Sequence, residues 1–355
     1  MKQGHCTIRY LALKTTPIMR NPDIVKWLLA FVFSVSGAHS AAQTYTARSP
    51  SEAQAVEFAG ENCTGYWTPD YQCQALKVKG LLFQPQGSWS SLVVASHGAQ
   101  GVDQRLFEYA DALTQNGIAT LVIDHWTPRG INMRSMTYSQ ATARGGTTSS
   151  IATDIVWAAA HLRATYPQIR KIGLIGESMG AMAAVQLSKQ RMVDLFATKL
   201  APQPFELPLT AMVGLYPACA ERVKGERFVN IPFLILSGEK DDHTLAKDCL
   251  DYEVWVNERG GRLKTILVPG AHHDFDAPHA LEYRPRGQNV SKCLNIVDDK
   301  TITIVATGKV LPNTLAGQIQ LPRECSSWGL RSGHGANKFV AVPTWLAFFK
   351  AHLGH

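Results

Sequence analysis

Two patterns of apolar positions alternate along most of the chain. Short runs that are apolar at nearly every position, such as "SLVVASHG" (91–98), predict buried strands, and longer segments with apolar residues three or four apart predict helices. The predicted strands are 76–85, 91–98, 118–126, 171–176, 209–217, 232–238 and 263–270, and the predicted helices are 105–117, 149–167, 179–190, 243–261 and 342–354.

This order of elements predicts the fold class. Strands that are apolar throughout and separated by helices are typical of a parallel sheet covered on both faces. We therefore expect an α/β fold with a mostly parallel central sheet. Ser149 or Ser150 is a plausible cap for the helix that follows, and Pro167 ends it.

The domain organisation follows from where this pattern stops. Residues 43–75 are polar and irregular, and residues 281–340 are polar and loop-like apart from a β-like run at 301–308. Because the second stretch is short and poor in core residues, we interpret it as an insertion between the last strand and the last helix. Residues 43–355 are then a single domain, a size that one α/β domain commonly has.

The first 42 residues resemble a secretory signal peptide. The apolar stretch "WLLAFVFSVSG" begins after Lys26 and is followed by small residues, which fits cleavage after Ser40 or Ala42. We expect export to the periplasm or the medium, and no stable membrane insertion once the signal is removed. An uncleaved anchor is the alternative.

Charge and cysteine content agree with export. Four of the seven net positive charges come from the first 42 residues, and the small remainder, without a Lys or Arg cluster, gives no case for nucleic-acid binding. Six cysteines follow the apolar stretch, and an exported protein favours disulfides. We favour pairing of neighbours along the chain, although six reduced thiols are the alternative: Cys63 with Cys73, Cys219 with Cys249, and Cys293 with Cys325.

The sequence "GESMG" indicates a nucleophile. It places Ser178 between Gly176 and Gly180, where a strand meets a helix. A sharp strand-to-helix turn exposes the serine oxygen and requires small neighbours, which is the mechanical basis of Gly-x-Ser-x-Gly. A glycine-rich packing turn is the alternative.

Candidates for the acid and the base follow the next strands in the order Ser, Asp, His. "GEKDDH" offers Asp241 and Asp242, and "GAHHDF" offers His272 and His273. We favour Asp241 as the acid, with Asp242 as a helix cap, and His273 as the base. The segment "HHDFDAPH" has no spacing diagnostic of a metal site, so we predict neither a metal nor a cofactor.

Loops after two other strands are candidates for contacts with substrate. The backbone N–H groups of Ala99 and Met179 are the predicted oxyanion donors, and Gln100 is a second candidate beside Ala99. We expect Gln100 and Trp126 to contact substrate. Arg129 could bind a carboxylate, but we favour a structural ion pair.

Four segments together resemble the dienelactone hydrolase family of α/β-hydrolases: "HGAQG", "GESMGAMAA", "LILSGEKDDHTLAKDC" and "VPGAHHDFDAP". The resemblance covers roughly residues 75–280 and the final helix. It implies that Ser178 is the nucleophile, Asp241 the acid, His273 the base, and residues 97–101 the oxyanion loop. Members that act on dienelactones carry cysteine in place of Ser178, so a general ester hydrolase is expected.

These features predict an exported serine hydrolase that cleaves small-molecule carboxylic esters through an acyl-enzyme. A peptidase or an acyltransferase could use the same three residues. A non-catalytic exported binding protein on a hydrolase scaffold is an alternative from another class. The sequence does not predict an oligomeric state.

Overall fold

The computed structural model describes residues 44–64, 72–199 and 206–354. The predicted signal peptide therefore lies outside the described residues. Residues 44–355 form one compact unit. Among the described residues, no helix has both the length and the apolar character needed to cross a membrane.

An eight-stranded sheet is the centre of the fold, in the order β1-β2-β4-β3-β5-β6-β8-β9. The pairs from β4 to β9 are parallel, whereas β1–β2 and β2–β4 are antiparallel. The predicted α/β class with a mostly parallel sheet is confirmed. Its strands are β1 Gln54–Thr64, β2 Gln72–Phe83, β3 Ser91–Ser96, β4 Ala119–Asp124, β5 Lys171–Glu177, β6 Ala211–Leu215, β8 Pro232–Gly238 and β9 Arg262–Val268.

Helices cover both faces of this sheet because its central strands are apolar on both sides. Leu92 and Val94 of β3 join the core beneath one set of helices, and Val93 and Ala95 join the core beneath the other. The first set is α3 Thr148–Thr165, α4 Met179–Leu187, α5 Gln190–Lys199 and α6 Ala246–Asn257; the second is α1 Gln104–Thr114 and α8 Val342–Leu353.

The predicted insertion is more regular than its sequence indicates. It holds β10 Glu282–Asn289, β11 Asn295–Val297, β12 Thr301–Ile304, β13 Val310–Pro312, α7 Leu315–Cys325 and β14 Ser327–Ser332. Strands β10 and β14 form a two-stranded sheet, and β13, β12 and β11 continue onto β7, Glu221–Val223. A short helix between β4 and α3, α2 Tyr138–Ala143, was also not predicted.

Two of the predicted disulfides are present, Cys219–Cys249 and Cys293–Cys325. The second joins the two ends of the segment from β11 to α7. The side chain of Cys63 lies outside the described residues. In the backbone register of β1 and β2, Cys63 is directly opposite Cys73, and Cys73 is disulfide-bonded.

Two predicted helix caps are wrong. Thr147, rather than Ser149 or Ser150, caps α3, because its side chain accepts the N–H of Ser150. Helix α6 begins at Ala246 without a side-chain cap, and Asp242 instead accepts the N–H of Arg331 from the insertion. The second prediction fails because the helix begins three residues later than expected, so that Leu245 rather than Asp242 occupies its N-cap position.

Candidate active site

Ser178 lies at a sharp turn between β5 and α4, near the middle of the sheet. Its φ of 46° and ψ of −108° are unusual for a residue with a side chain. The flanking glycines are needed for space. A Cβ on Gly176 would lie 2.3 Å from the Gly180 carbonyl carbon, and a Cβ on Gly180 would lie 2.3 Å from the Ser96 carbonyl oxygen.

Three predicted side chains meet at the carboxyl edge of the sheet. His273, after β9, places Nε2 3.2 Å from Oγ of Ser178. Its Nδ1 lies 2.8 Å from Oδ2 of Asp241, which follows β8. In this arrangement Asp241 fixes one ring nitrogen of His273, which leaves the other free to accept the serine proton.

Asp241 has hydrogen-bond partners in addition to His273. The N–H groups of His243 and Thr244 donate to Oδ1 at 2.9 and 2.8 Å. The Thr244 hydroxyl lies 2.8 Å from Oδ2 of Asp241 and 3.1 Å from Nδ1 of His273. Sequence reasoning missed Thr244; its position three residues after Asp241 is the signal that could have found it.

The charges of this pair follow from its surroundings. Burial raises the pKa of Asp241, but His273 and the donated hydrogen bonds outweigh burial and lower it below its usual value. Burial lowers the pKa of His273, but Asp241 and Asp274 outweigh burial and raise it above its usual value. The site therefore favours an ionised Asp241 and supports a protonated His273 when a proton arrives.

Asp242 and His272, the less favoured candidates for the acid and the base, make other contacts. Asp242 is bound to the N–H and guanidinium of Arg331 at 2.9 and 3.3 Å. His272 is half-buried, and its Nδ1 has no hydrogen-bond partner among the described residues. Among the described residues, neither is hydrogen-bonded to Ser178, His273 or Asp241.

The loop after β3 lies directly against Ser178. A Cβ on Gly98 would be 3.2 Å from Cβ of Ser178, and the Gly98 N–H donates to Oε1 of Glu177 at 3.1 Å. Ala99 follows in this loop, and Met179 is the first residue of α4, where backbone N–H groups have no partner within the helix. The predicted oxyanion donors thus lie on two backbone segments next to Ser178.

Trp126 requires a correction. We expected it to contact substrate, but the ring is buried under the loop after β3, and its Nε1 donates to the carbonyl of Ala99 at 2.8 Å. Other described residues, including Gln100, line the two cavities beside Ser178. The favoured interpretation of Arg129 is confirmed, since it forms a buried ion pair with Asp154 at 2.8 Å.

A buried cluster of charged side chains contacts the residues adjacent to Ser178 and His273. Arg105 is 2.9 Å from Asp274 and 3.1 Å from Glu177, and it also pairs with Asp103. Burial raises the pKa of Glu177, which directly precedes Ser178. Sequence reasoning missed this cluster because its members come from α1, β5 and the loop after β9.

Two cavities open beside Ser178, of about 290 and 250 Å³. Ser178, Tyr138 and His243 line both. The ring of His243 is buried, packs edge-on against His273 at 4.5 Å between ring centroids, and has an Nδ1 without a partner among the described residues. Burial lowers the pKa of His243 to about 3, which keeps the ring neutral.

The segment "HHDFDAPH" serves the protein's own contacts. Asp274 binds Arg105, Asp276 accepts from the hydroxyls of Tyr109 and Tyr216, and His279 contacts Arg284. Within the described ranges, no group of three or more His, Cys, Asp or Glu side chains is arranged to hold a metal ion.

A model of the dienelactone hydrolase family matches residues 78–291 of this chain. The chain belongs to that family. It is a hydrolase that acts on ester bonds, and the predicted resemblance is confirmed. No curated protein matched the chain.

Three hydrolases are among the solved structures to which this chain is similar. A dienelactone hydrolase-like promiscuous phosphotriesterase from metagenomic libraries is 19% identical, with a TM-score of 0.46 over 64% of this chain and 86% of that chain. An esterase from Thermogutta terrifontis is 13% identical, with a TM-score of 0.45 over 64% and 84% of the two chains. A serine hydrolase without lid from Xanthomonas campestris is 15% identical, with a TM-score of 0.40 over 63% and 87%.

Most of the insertion lies beyond the part of the chain that matches the dienelactone hydrolase family, yet it reaches the site. Strand β14 bridges to the loop that carries His273, where the Gly333 N–H donates to the His273 carbonyl at 2.9 Å. The Ser332 hydroxyl donates to Asp274 at 2.6 Å. Arg284, Trp328 and Leu330 line the larger cavity, and Leu321 and Pro322 line the smaller.

Proposed function

We propose that this chain is an exported serine esterase that hydrolyses small-molecule carboxylic esters through an acyl-enzyme. The observation that carries the proposal is the hydrogen-bonded series Ser178, His273, Asp241, with distances of 3.2 and 2.8 Å. Such a series activates a serine hydroxyl that is otherwise a poor nucleophile at neutral pH.

In the proposed reaction, Oγ of Ser178 attacks the ester carbonyl while Nε2 of His273 takes the hydroxyl proton. The negative charge that develops on the carbonyl oxygen is stabilised by the N–H groups of Ala99 and Met179. The bond to the alcohol then breaks, and His273 gives its proton to the departing oxygen. In the second half of the reaction, water attacks the acyl carbon while His273 takes a proton from it. The bond to Oγ of Ser178 then breaks, His273 returns the proton to Oγ, and the acid is released.

The proposed role of Asp241 follows from its low pKa and its partners. An ionised carboxylate at 2.8 Å holds Nδ1–H of His273 and stabilises the imidazolium that forms during attack. Thr244 in turn holds Asp241, so we place it as a positioning residue.

Export rests on two observations. Residues 1–42 have the composition of a signal peptide, and the disulfides Cys219–Cys249 and Cys293–Cys325 are typical of an oxidising compartment. Expression of the full chain in a bacterial host and N-terminal sequencing of the periplasmic fraction tests this part. We expect a mature chain that begins after Ser40 or Ala42; a product that keeps Met1 would contradict export with cleavage.

The catalytic part is tested by hydrolysis of p-nitrophenyl esters and of peptides by the wild type, Ser178→Ala and the matched control Ser51→Ala. Ser51 is exposed and outside the site. We expect the wild type and Ser51→Ala to hydrolyse the esters equally, and Ser178→Ala to lose about 1000-fold or more in kcat. Esterase activity that survives Ser178→Ala, or peptide cleavage faster than ester cleavage, would contradict the proposal.

A further inference from the structure

The two cavities that meet at Ser178 differ in chemistry. Arg105, Arg284 and Arg286 line the larger cavity, together with Gln100 and Asp274. The smaller cavity is lined mainly by apolar side chains, among them Met182, Val185, Ala220, Val290, Leu321 and the Cys293–Cys325 disulfide. Met133, Trp328 and Leu330 also line the larger cavity, so a substrate bound at Ser178 meets a mixed wall with three arginines on one side and a more apolar wall on the other.

The charge that lines the smaller cavity is already paired. Glu221 is the acidic residue among the described residues of that wall, and Lys189 binds it from the buried side. Burial raises the pKa of Glu221, but Lys189 outweighs burial and lowers it, so the carboxylate stays ionised. This wall accepts an uncharged apolar group and disfavours a second negative charge.

The position of His273 assigns the two halves of an ester to the two cavities. In acyl transfer the histidine that takes the serine proton must deliver it to the departing alcohol, so the alcohol must leave on the histidine side. Among the described lining residues, His273 belongs to the larger cavity, which holds the three arginines, whereas Ser178 belongs to both. The alcohol then occupies the larger cavity, and the acyl group extends into the smaller one.

We propose that the smaller cavity is the acyl-binding site and that the natural substrates are esters of uncharged apolar acids with a polar alcohol. The inference rests on the proposed function, because it uses the same attack by Ser178. The acyl carbon forms its bond to Oγ of Ser178, the bond to the alcohol oxygen breaks, and that oxygen receives the proton from His273.

The insertion supplies about a third of the described residues that line this acyl site. Val290 follows β10, and Leu321, Pro322 and Cys325 belong to α7. Residues 293–325 lie beyond the part of the chain that matches the family. Acyl selectivity in this chain therefore depends in part on a segment that the family match does not cover, and the Cys293–Cys325 disulfide joins the two ends of that segment.

The test fills the cavity without changing the reacting groups. Ala220→Leu places a larger side chain on a half-buried position of the apolar wall, and Ala306→Leu makes the same change at an exposed position of the insertion outside the cavity. Val290→Phe fills the cavity from the other wall, in case Ala220→Leu does not fold. Each variant is assayed with p-nitrophenyl esters from acetate to octanoate and with butyrate esters of graded alcohols.

We expect kcat/KM of the wild type and of Ala306→Leu to rise by about fourfold for each added acyl methylene until the cavity is full. In Ala220→Leu and Val290→Phe, we expect the ratio of kcat/KM for long over short acyl groups to fall by about tenfold or more. The kcat/KM values for butyrate esters of graded alcohols should keep their wild-type order. The wild type hydrolyses a hemisuccinate ester at least about tenfold more slowly than the butyrate ester.

The outcomes separate the two proposals. If a short-chain fluorophosphonate labels all variants and acetate esters are cleaved, but the acyl-length profile of both cavity variants equals that of Ala306→Leu, the acyl assignment is overturned and the esterase proposal stands. An altered alcohol series with an unaltered acyl series reverses the assignment of the cavities and also overturns it. If the wild type neither takes up the label nor cleaves any ester, the proposed function fails, and the acyl site fails with it.

Discussion

The Nε2 atom of His273 lies 3.2 Å from the Oγ atom of Ser178, although 95 residues separate them in the chain. The parallel sheet makes this contact possible, because the carboxyl ends of β5 and β9 open at the same edge. The insertion then fixes the loop of His273 through β14.

The pKa of His273 predicts the pH dependence of the reaction. His273 must be neutral to take the serine proton, and its pKa is raised above the usual value of 6.5. We therefore expect kcat/KM for p-nitrophenyl butyrate to fall on the acid side, with a midpoint above about 6.5. A midpoint well below that value would show that Asp241 and Asp274 do not outweigh burial of the ring.

Thr244 is predicted to position Asp241. Thr244→Val removes the hydroxyl that lies 2.8 Å from Oδ2 of Asp241 and keeps the side-chain shape. Losing one hydrogen bond to a charged group costs about 1.5–3 kcal/mol, so we expect kcat to fall by about tenfold to 100-fold and KM to change little. Thr244→Ser is the matched control, and it should recover most of the loss.

If Thr244→Ser is as impaired as Thr244→Val, the methyl group rather than the hydroxyl matters, and the positioning role is wrong. The acid-side midpoint gives a second readout, since a weakened Asp241 should also shift the pKa of His273.

Trp126 is predicted to hold the loop that carries Ala99. Trp126→Phe removes the Nε1 donor and leaves the buried carbonyl of Ala99 without that partner. We expect kcat to fall by about tenfold with little change in KM, because the loop then holds the oxyanion less well. Trp89→Phe is the control: Trp89 is also buried, but it packs against Tyr166 far from Ser178. Equal kinetic effects of the two changes would contradict the prediction.

Asp154 is predicted to matter for stability rather than chemistry. It is fully buried and binds both Arg129 and His125 at 2.8 Å. Asp154→Asn leaves Arg129 buried without its counter-charge, which costs about 3–5 kcal/mol in the free energy of unfolding. Denaturant unfolding measures this loss, and Lys77→Ala, which breaks an exposed pair with Glu57, should cost less than about 1 kcal/mol. An unchanged midpoint for Asp154→Asn would contradict a structural role.

The central fold could be predicted because its signals are local. Apolar runs such as β3 and β8 are buried on both faces, so their sequence alone identifies them. Strand β1 was missed: it lies at the sheet edge, and exposed residues such as Glu57 separate its buried Val56 and Phe58. In the insertion, the predicted β-like run 301–308 contains β12, Thr301–Ile304, whereas β11 and β13 were missed because each is only three residues long, and β10 because it is largely exposed.

The candidate site likewise has features that could be predicted from the sequence and features that could not. The order of Ser178, Asp241 and His273 after β5, β8 and β9 could be read from the sequence, as could the loop at Gly98 and Ala99. The contacts of Trp126 and Asp242 could not be predicted, because each depends on a partner from another part of the chain. Trp126 donates to the carbonyl of Ala99, and Asp242 accepts from the N–H of Arg331. Cavity walls built by the insertion depend on tertiary contacts in the same manner.

The central claim is that Ser178 is the nucleophile, activated by His273. Mass spectrometry of the intact protein and of its peptides after treatment with a fluorophosphonate tests it most directly. We expect a single adduct on Ser178 in the wild type, none in Ser178→Ala, and labelling slowed by about 100-fold or more in His273→Ala. An adduct on another residue, or equal labelling of the wild type and His273→Ala, would contradict the account.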